Sequence, residues 1–241
     1  MSAVIFVGPT LPPRLRPAGE KLWDWRPPVR QGELYRAALA RPQAIGIIDG
    51  YFEIVPTVWH KEILWAMAEG IHVFGAASIG ALRAAELASF GMRGIGRVYE
   101  DFRDGVLEDD DEVAVLHGPA ELGYPPVTEA MVNIRATLAA AVEGGILAPD
   151  LATDLGKIAK GMFYKERTWD ALLRSTAATG WPADRLRYFA QWLPHGRVDQ
   201  KRRDADAMLK AIRTYLAAQP GPLKITFELA DTVAWQAARR R

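Results

Sequence analysis

Three short apolar runs in the first half of the chain have the pattern of buried strands. They span residues 3–7, 44–48 and 71–74, and the first two end at Gly8-Pro9 and at Asp49-Gly50. Runs this short, bounded by residues that interrupt regular structure, are typical of strands buried on both faces. We therefore predict three interior strands of one sheet.

The stretch between the second and third runs has helical periodicity. Apolar side chains recur every three or four positions between Pro56 and Glu69, and Gly70 marks the end of the predicted helix. A strand, helix, strand order without hairpin chemistry indicates a parallel pair whose strands end at the same edge of the sheet. Another helix is predicted over residues 79–90, and a further strand over 113–116.

Residues 11–30 and the second half of the chain have different patterns. Residues 11–30 are rich in Pro, Arg and Trp, a composition that excludes an interior strand or a long helix, so we predict a loop. From residue 126 onward only helical patterns remain. We expect an α/β protein: an N-terminal parallel-type sheet with flanking helices in residues 1–125, which carries the site, and a C-terminal helical layer, residues 126–241, packed on it.

The turn between the third strand and the next helix is the strongest candidate for chemistry. Its sequence, Gly-Ala-Ala-Ser-Ile-Gly at 75–80, approximates the Gly-x-Ser-x-Gly turn of serine hydrolases. Ser78 lies at the carboxyl end of a predicted parallel strand, where α/β proteins gather catalytic groups. The amides of Ile79 and Gly80, at the start of the helix, are placed to stabilise an oxyanion. The alternative is that Ser78 only caps the helix.

A serine nucleophile needs a base, and the predicted topology supplies two candidates. His60 and Lys61 lie in the first turns of the helix after the second strand, at the same edge as Ser78. The positive end of a helix dipole disfavours a charged ammonium and so lowers the pKa of a lysine beside it. A lysine that acts as a general base requires a pKa lowered in this way. Asp49 could orient either side chain, although Asp-Gly is equally a turn signal. Lys165 is an alternative base, and Lys61 could be only a solvated residue paired with a carboxylate.

Composition narrows the classes of function. Thirty basic and twenty-nine acidic residues leave a net charge of +1, which provides no overall attraction for nucleic acid. We therefore expect no nucleic-acid partner. No apolar run is long enough to cross a bilayer, so we expect a cytoplasmic protein without a membrane partner. We also expect no cofactor. Cysteine is absent, so no thiol of the protein can carry sulfur. We expect the acidic run at 108–112 to be a solvated loop and not a metal site.

Four long motifs lie within residues 4–120. They are IIDGYF at 47–52, WHKEIL at 59–64, VFGAASIGALRAAEL at 73–87 and DDEVAVLHGP at 110–119. Together these motifs resemble the TfuA family. The second half of the chain is similar to that family only at DQKR, residues 199–202, and at Asp204-Ala205.

The resemblance implies a partner of YcaO enzymes in peptide-backbone thioamidation. Such a protein hydrolyses the C-terminal thiocarboxylate of a ThiS-like sulfur-carrier protein to release sulfide, and supports binding of the peptide substrate by YcaO. A serine and a lysine form the catalytic pair of the family. Ser78 matches the serine, and we assign the lysine to Lys61 because it lies in a matching motif at the predicted edge. The alternative function is a non-catalytic adaptor that recruits peptide or sulfur carrier to a YcaO enzyme.

Attack on a thiocarboxylate adds negative charge, which cations near Ser78 could offset. Arg83 is one candidate, although at i, i+3 from Glu86 it most simply forms a pair on the helix surface. Arg14 and Arg16, in the Pro-rich loop, are further candidates.

Overall fold

The first half of the chain forms a five-stranded parallel sheet. A computed structural model describes residues 2–53 and 55–239. The strands in chain order are Ala3–Phe6 (β1), Trp23–Arg26 (β2), Ala44–Ile47 (β3), His72–Ala76 (β4) and Arg93–Ile95 (β5). Their order across the sheet is β2, β1, β3, β4, β5, and all neighbouring pairs are parallel. The predicted α/β class with a parallel sheet is confirmed.

One face of the sheet is covered by helices that connect the strands. The strand side chains of Phe6, Ile47 and Val73 share a buried core with Ile63 and Ala84 from these helices. A sheet covered in this way needs apolar residues on this face of each strand. The covering helices are Glu33–Leu39 (α1), His60–Ala68 (α2) and Ile79–Leu87 (α3).

The opposite face is covered by a helix from the far end of the sequence. Ile5 and Phe74, which alternate with the residues of the first face, pack in a second core with Met208 and Ile212. Met208 and Ile212 belong to the helix Gln200–Ala217 (α9). Because both faces are buried, the interior strands are continuous apolar runs.

The described residues divide into two compact units. The first contains residues up to 108 together with those from 202 onward, and the second contains residues 109–201. The expected division near residue 125 differs from this one, because α9 returns to the sheet of the first unit. Besides the elements above, the first unit contains Arg97–Arg103 (α4) and Val233–Arg239 (α10). The second unit contains Met131–Glu143 (α5), Pro149–Gly161 (α6), Trp169–Ala177 (α7) and Ala183–Gly196 (α8).

The second unit has a helical core of its own. Ile134 and Leu138 of α5 pack with Leu155 of α6 and with Leu172 and Phe189 of the following two helices. The helices predicted after residue 126 are confirmed. Throughout residues 2–53 and 55–239, no helix combines the length and the apolar character needed to cross a bilayer.

The structure departs from the predicted secondary structure in four details. The Pro-rich segment contains β2, which lies at one edge of the sheet, and the short strand β5 lies at the other edge. Residues 113–116 form no strand; a single antiparallel bridge joins His117 to Pro126 instead. Helix α2 begins at His60, four residues after Pro56.

Helix α3 lies unusually close to the ends of two strands. A Cβ atom placed on Gly80 would lie 1.8 Å from the carbonyl oxygen of Ile47, and one on Gly75 would lie 2.0 Å from the carbonyl oxygen of Gly80. Backbone therefore contacts backbone on both sides of the turn that holds Ser78.

We expect Gly80→Ala to lower the free energy of unfolding by about 3 kcal/mol, because the new methyl group can be accommodated only by moving α3 away from β3. Chemical denaturation at neutral pH measures the change. Gly156→Ala is the matched control, since its Cβ would lie 3.8 Å from Leu138 and a helical Gly→Ala change stabilises by up to about 1 kcal/mol. Equal effects of the two substitutions would contradict the packing constraint.

Candidate functional site

Ser78 lies in a strained turn between β4 and α3. Its backbone N–H donates to the carbonyl oxygen of Ala76, two residues earlier, at 2.7 Å. The residue between them, Ala77, has a φ of +68°. A non-glycine residue in the left-handed region costs roughly 1 kcal/mol or more, and such strain is concentrated at functional sites. Ser78 itself is 8 % exposed.

The side chain of Ser78 makes no capping hydrogen bond, although the residue occupies the N-cap position of α3. Its backbone carbonyl accepts the N–H groups of Ala81 at 2.9 Å and of Leu82 at 3.3 Å. A serine selected as a helix cap uses its hydroxyl oxygen to accept the N–H of the second or third residue of the helix, here Gly80 or Ala81. The capping hydrogen bond that the alternative interpretation requires of the Ser78 hydroxyl is therefore not formed.

The two predicted oxyanion donors differ in their hydrogen bonding. The N–H of Gly80 donates to the carbonyl oxygen of Ile48 at 3.3 Å. The N–H of Ile79 has no acceptor among residues 2–53 and 55–239. Ile79 thus offers an unused amide directly after Ser78, whereas Gly80 serves to hold the helix against the end of β3.

Asp49 organises the loops at the carboxyl edge of the sheet. Its carboxylate is buried and accepts the backbone N–H groups of Gly8 at 2.9 Å and Thr10 at 3.0 Å, together with the Thr10 hydroxyl at 2.6 Å. These hydrogen bonds join the loop after β1 to the end of β3. The predicted partners of Asp49, His60 and Lys61, bind other groups.

His60 belongs to a charged network that joins α2 to α3. Its Nε2 lies 2.7 Å from Glu86 Oε2, and the Arg83 guanidinium donates to the same oxygen at 2.6 Å and to the carbonyl oxygen of Val58 at 3.4 Å. Partial burial alone raises the pKa of Glu86, but hydrogen bonds from His60 and Arg83 outweigh it and lower that pKa. The simple pairing of Arg83 with Glu86 is confirmed, and the charge of Arg83 is already balanced.

Lys61 contacts the C-terminal segment of the first unit. Its ammonium donates a hydrogen bond to the carbonyl oxygen of Ala230. Leu223 and Phe227, earlier in the same segment, pack against the core to which α2 and α3 contribute. The structure therefore shows Lys61 bonded to backbone, and its pairing with Ser78 stays a prediction. The rival base, Lys165, belongs to the second unit and lies over the ring of Tyr164 at 5.3 Å.

The acidic run is solvated only in part: residues 108–110 are exposed, as expected from the sequence, whereas Asp111 is partly buried and Glu112 is buried. Lys160 hydrogen bonds to Asp111 and lies 3.0 Å from Asp109 and 3.2 Å from Glu112. The guanidinium of Arg167, which is completely buried, donates to Asp111 Oδ2 at 2.6 Å. Burial by itself raises the pKa of Asp111, but the hydrogen bonds from Lys160 and Arg167 prevail and hold that pKa below its ordinary value of 3.8.

Two buried carboxylates that hold the first unit together were not predicted. Glu62 accepts two backbone N–H groups from the start of α1 and one from the start of α2, and Asp204 of α9 accepts the N–H of Val98 at 2.8 Å, at the start of α4. The position of Glu62, three residues after the N-cap residue Trp59, is the spacing of a capping box and could have indicated it. No local signal links Asp204 to Val98, because these residues are 106 positions apart.

The fold and site together define an α/β protein whose serine occupies a strained strand-to-helix turn at the carboxyl edge of a parallel sheet. A family model described as TfuA-like protein matches residues 49–168, a segment that includes Asp49, Lys61 and Ser78. The chain belongs to the TfuA-like family. No curated protein matches it.

Replacing Asp111 by Asn should destabilise the second unit by roughly 3 kcal/mol at neutral pH, since it leaves the buried Arg167 without its carboxylate. The effect should shrink as the pH falls below 3.8, because the lowered pKa of Asp111 stabilises the fold only while the group is ionised. Thermal unfolding between pH 2.5 and pH 7 measures both. Asp110→Asn, an exposed neighbour, is the control and should change little. A pH-independent difference would contradict the ionic role.

Proposed function

We propose that this protein hydrolyses the C-terminal thiocarboxylate of a ThiS-like sulfur-carrier protein and releases sulfide for YcaO-dependent thioamidation of a peptide backbone. Membership of the TfuA-like family supports the pathway. The observation that carries the reaction is the Ser78 hydroxyl, which occupies an N-cap position in a strained turn without making the capping hydrogen bond. A strained strand-to-helix turn of this kind is how α/β hydrolases present a serine nucleophile.

The proposed reaction has two steps. In the first, the neutral amine of Lys61 takes the proton of the Ser78 hydroxyl while the oxygen attacks the thiocarboxylate carbon. The carbon–sulfur bond then breaks, and hydrosulfide leaves with the proton that Lys61 received. In the second, water attacks the acyl ester, which restores the hydroxyl and releases the carrier carboxylate and one proton. One water molecule is consumed for each hydrosulfide released.

Negative charge builds up during the first step, because the thiocarboxylate is already anionic. The unused N–H of Ile79, at the positive end of α3, is the nearest amide in the sequence to the nucleophile. Arg16 is a second source of positive charge: its guanidinium donates to the carbonyl oxygens of Val7 at 3.4 Å and Leu11 at 3.1 Å, just beyond the carboxyl end of β1. Arg83 contributes less, since Glu86 balances its charge.

Lys61 can act as the base only after its ammonium leaves the carbonyl oxygen of Ala230. The C-terminal segment must therefore shift, or the Lys61 side chain must rotate, when the carrier binds. Hydrolysis also suits the composition. Without cysteine the protein cannot accept sulfur as a persulfide, so it either hydrolyses the C–S bond of the donor or only holds the donor.

The second candidate function is a non-catalytic adaptor that recruits the peptide or the sulfur carrier to a YcaO enzyme. The hydrogen bond between Lys61 and Ala230 favours this alternative, because it leaves the proposed base engaged with backbone. The two functions can coexist in one protein. Recruiting a substrate to a YcaO enzyme requires a binding surface, whereas hydrolysis requires a nucleophile.

Ser78→Ala should abolish sulfide release from a thiocarboxylated carrier, with a fall in rate of at least about 10³-fold, because the nucleophile is lost. Methylene-blue detection of sulfide measures the rate. Ser89→Ala, an exposed serine just beyond α3, is the matched control and should keep full activity. Unchanged release by Ser78→Ala would overturn the assignment of the nucleophile.

Lys61→Met should lower the rate of sulfide release by roughly 10² to 10⁴-fold, because it removes the proton acceptor and keeps the aliphatic length of the side chain. Lys165→Met, assayed in parallel, identifies the base if Lys61 is not required. A pure adaptor behaves differently: the unchanged protein itself would release no sulfide, and Ser78→Ala and both lysine variants would stimulate a YcaO enzyme as strongly as the unchanged protein does.

A further inference from the structure

A cavity of about 560 Å³ lies within the first unit, and none of its lining residues belongs to the turn of Ser78. It is bounded by the start of α1, by residues 55–59 ahead of α2, and by α10. Cavities of roughly 300 to 1,000 Å³ are the usual size of sites for small organic ligands. Nothing in the proposed hydrolysis uses this cavity.

One buried carboxylate fixes the walls of the cavity. Glu62 accepts the N–H groups of Gly32 at 2.9 Å, Tyr35 at 3.2 Å and Trp59 at 3.2 Å. Burial raises its pKa, and the three backbone hydrogen bonds partly oppose that shift. Since these donors come from α1, the turn before it and the start of α2, the cavity is formed before any ligand arrives. The oxygens of Glu62 are used in holding the walls.

Aromatic rings line the cavity. Trp235 of α10 is 3 % exposed and lies edge-on to the ring of Tyr35, with the ring centroids 5.4 Å apart. Trp59 forms another wall and remains 38 % exposed, so part of the residue is open to a ligand. Ala234 and Ala238 line the side provided by α10, and their small side chains leave the space open.

The cavity wall also contains guanidinium groups in two different states. Arg30 is paired with Glu33 at 2.8 Å. Arg36 takes part in no ion pair or side-chain hydrogen bond among residues 2–53 and 55–239, and its positive charge acts on Glu62 only through space. Arg36 is therefore the cation of the cavity whose hydrogen-bond donors are not used by the protein.

We propose that this cavity is a binding site for a small ligand that combines a planar ring with an anionic group. The ring packs against Trp59 and Tyr35, and a carboxylate or phosphate accepts hydrogen bonds from Arg36. Arginine suits both anions, because its guanidinium presents two parallel N–H groups to them. None of the residues to which the proposed hydrolysis assigns a role lines the cavity, so binding there can be tested without a sulfur carrier.

Isothermal titration calorimetry with the full-length protein tests the proposal. Two probes separate the two anions: N-acetyl-tryptophan supplies a ring with a carboxylate, and adenosine 5′-monophosphate supplies a ring with a phosphate. We expect one of them to bind with a Kd below about 1 mM. Adenosine, which has the ring alone, should bind at least about tenfold more weakly than its monophosphate if phosphate is the preferred anion.

Matched variants locate the site. Arg36→Gln and Trp59→Ala should each weaken binding of the preferred probe by about tenfold or more. Arg41→Gln and Phe90→Ala are the controls, because both residues are exposed and neither lines the cavity. Circular dichroism verifies that each variant is folded. Absence of binding by both probes up to 10-fold above the expected Kd, or affinity that Arg36→Gln and Trp59→Ala leave unchanged, overturns the proposal.

Discussion

The contact between the backbone of α3 and the ends of two strands is the constraint on which the candidate site depends. Gly80 lies directly against the carbonyl oxygen of Ile47, and Gly75 lies against the carbonyl oxygen of Gly80. No side chain separates helix from sheet here, so the backbone of residues 76–79 is restricted to one conformation. That conformation forces Ala77 into the left-handed region and sets the position of Ser78. The strain at Ala77 is sustained by the packing on either side.

The sequence predicted the centre of the first unit better than its edges, for a physical reason. Strands β3 and β4 are buried on both faces, which produces continuous apolar runs and makes them easy to recognise. Strand β2 has the sequence WDWR and β5 has RGI, and both lie at the sheet edges, where polar residues are tolerated. Short strands of this composition have no distinguishing pattern.

The same distinction applies to the site. The position of Ser78 follows from chain order and from the parallel direction of the strands, so it could be predicted. The partners of the neighbouring side chains could not. Lys61 bonds to a residue 169 positions away, and Asp49 bonds to a loop about 40 positions away. Such contacts depend on tertiary packing, for which a single sequence carries no local pattern.

The discontinuity of the first unit has a consequence for how the chain folds during synthesis. Strands β1 to β5 are complete by residue 95, but the helix that covers their second face begins at residue 200. At typical translation speeds the ribosome needs on the order of 10 s to make the intervening residues. During that interval Ile5, Phe74 and their neighbours remain without their covering helix, while the second unit, residues 109–201, is being completed. The second face of the nascent sheet therefore receives its covering helix only after the whole of the second unit has been synthesised.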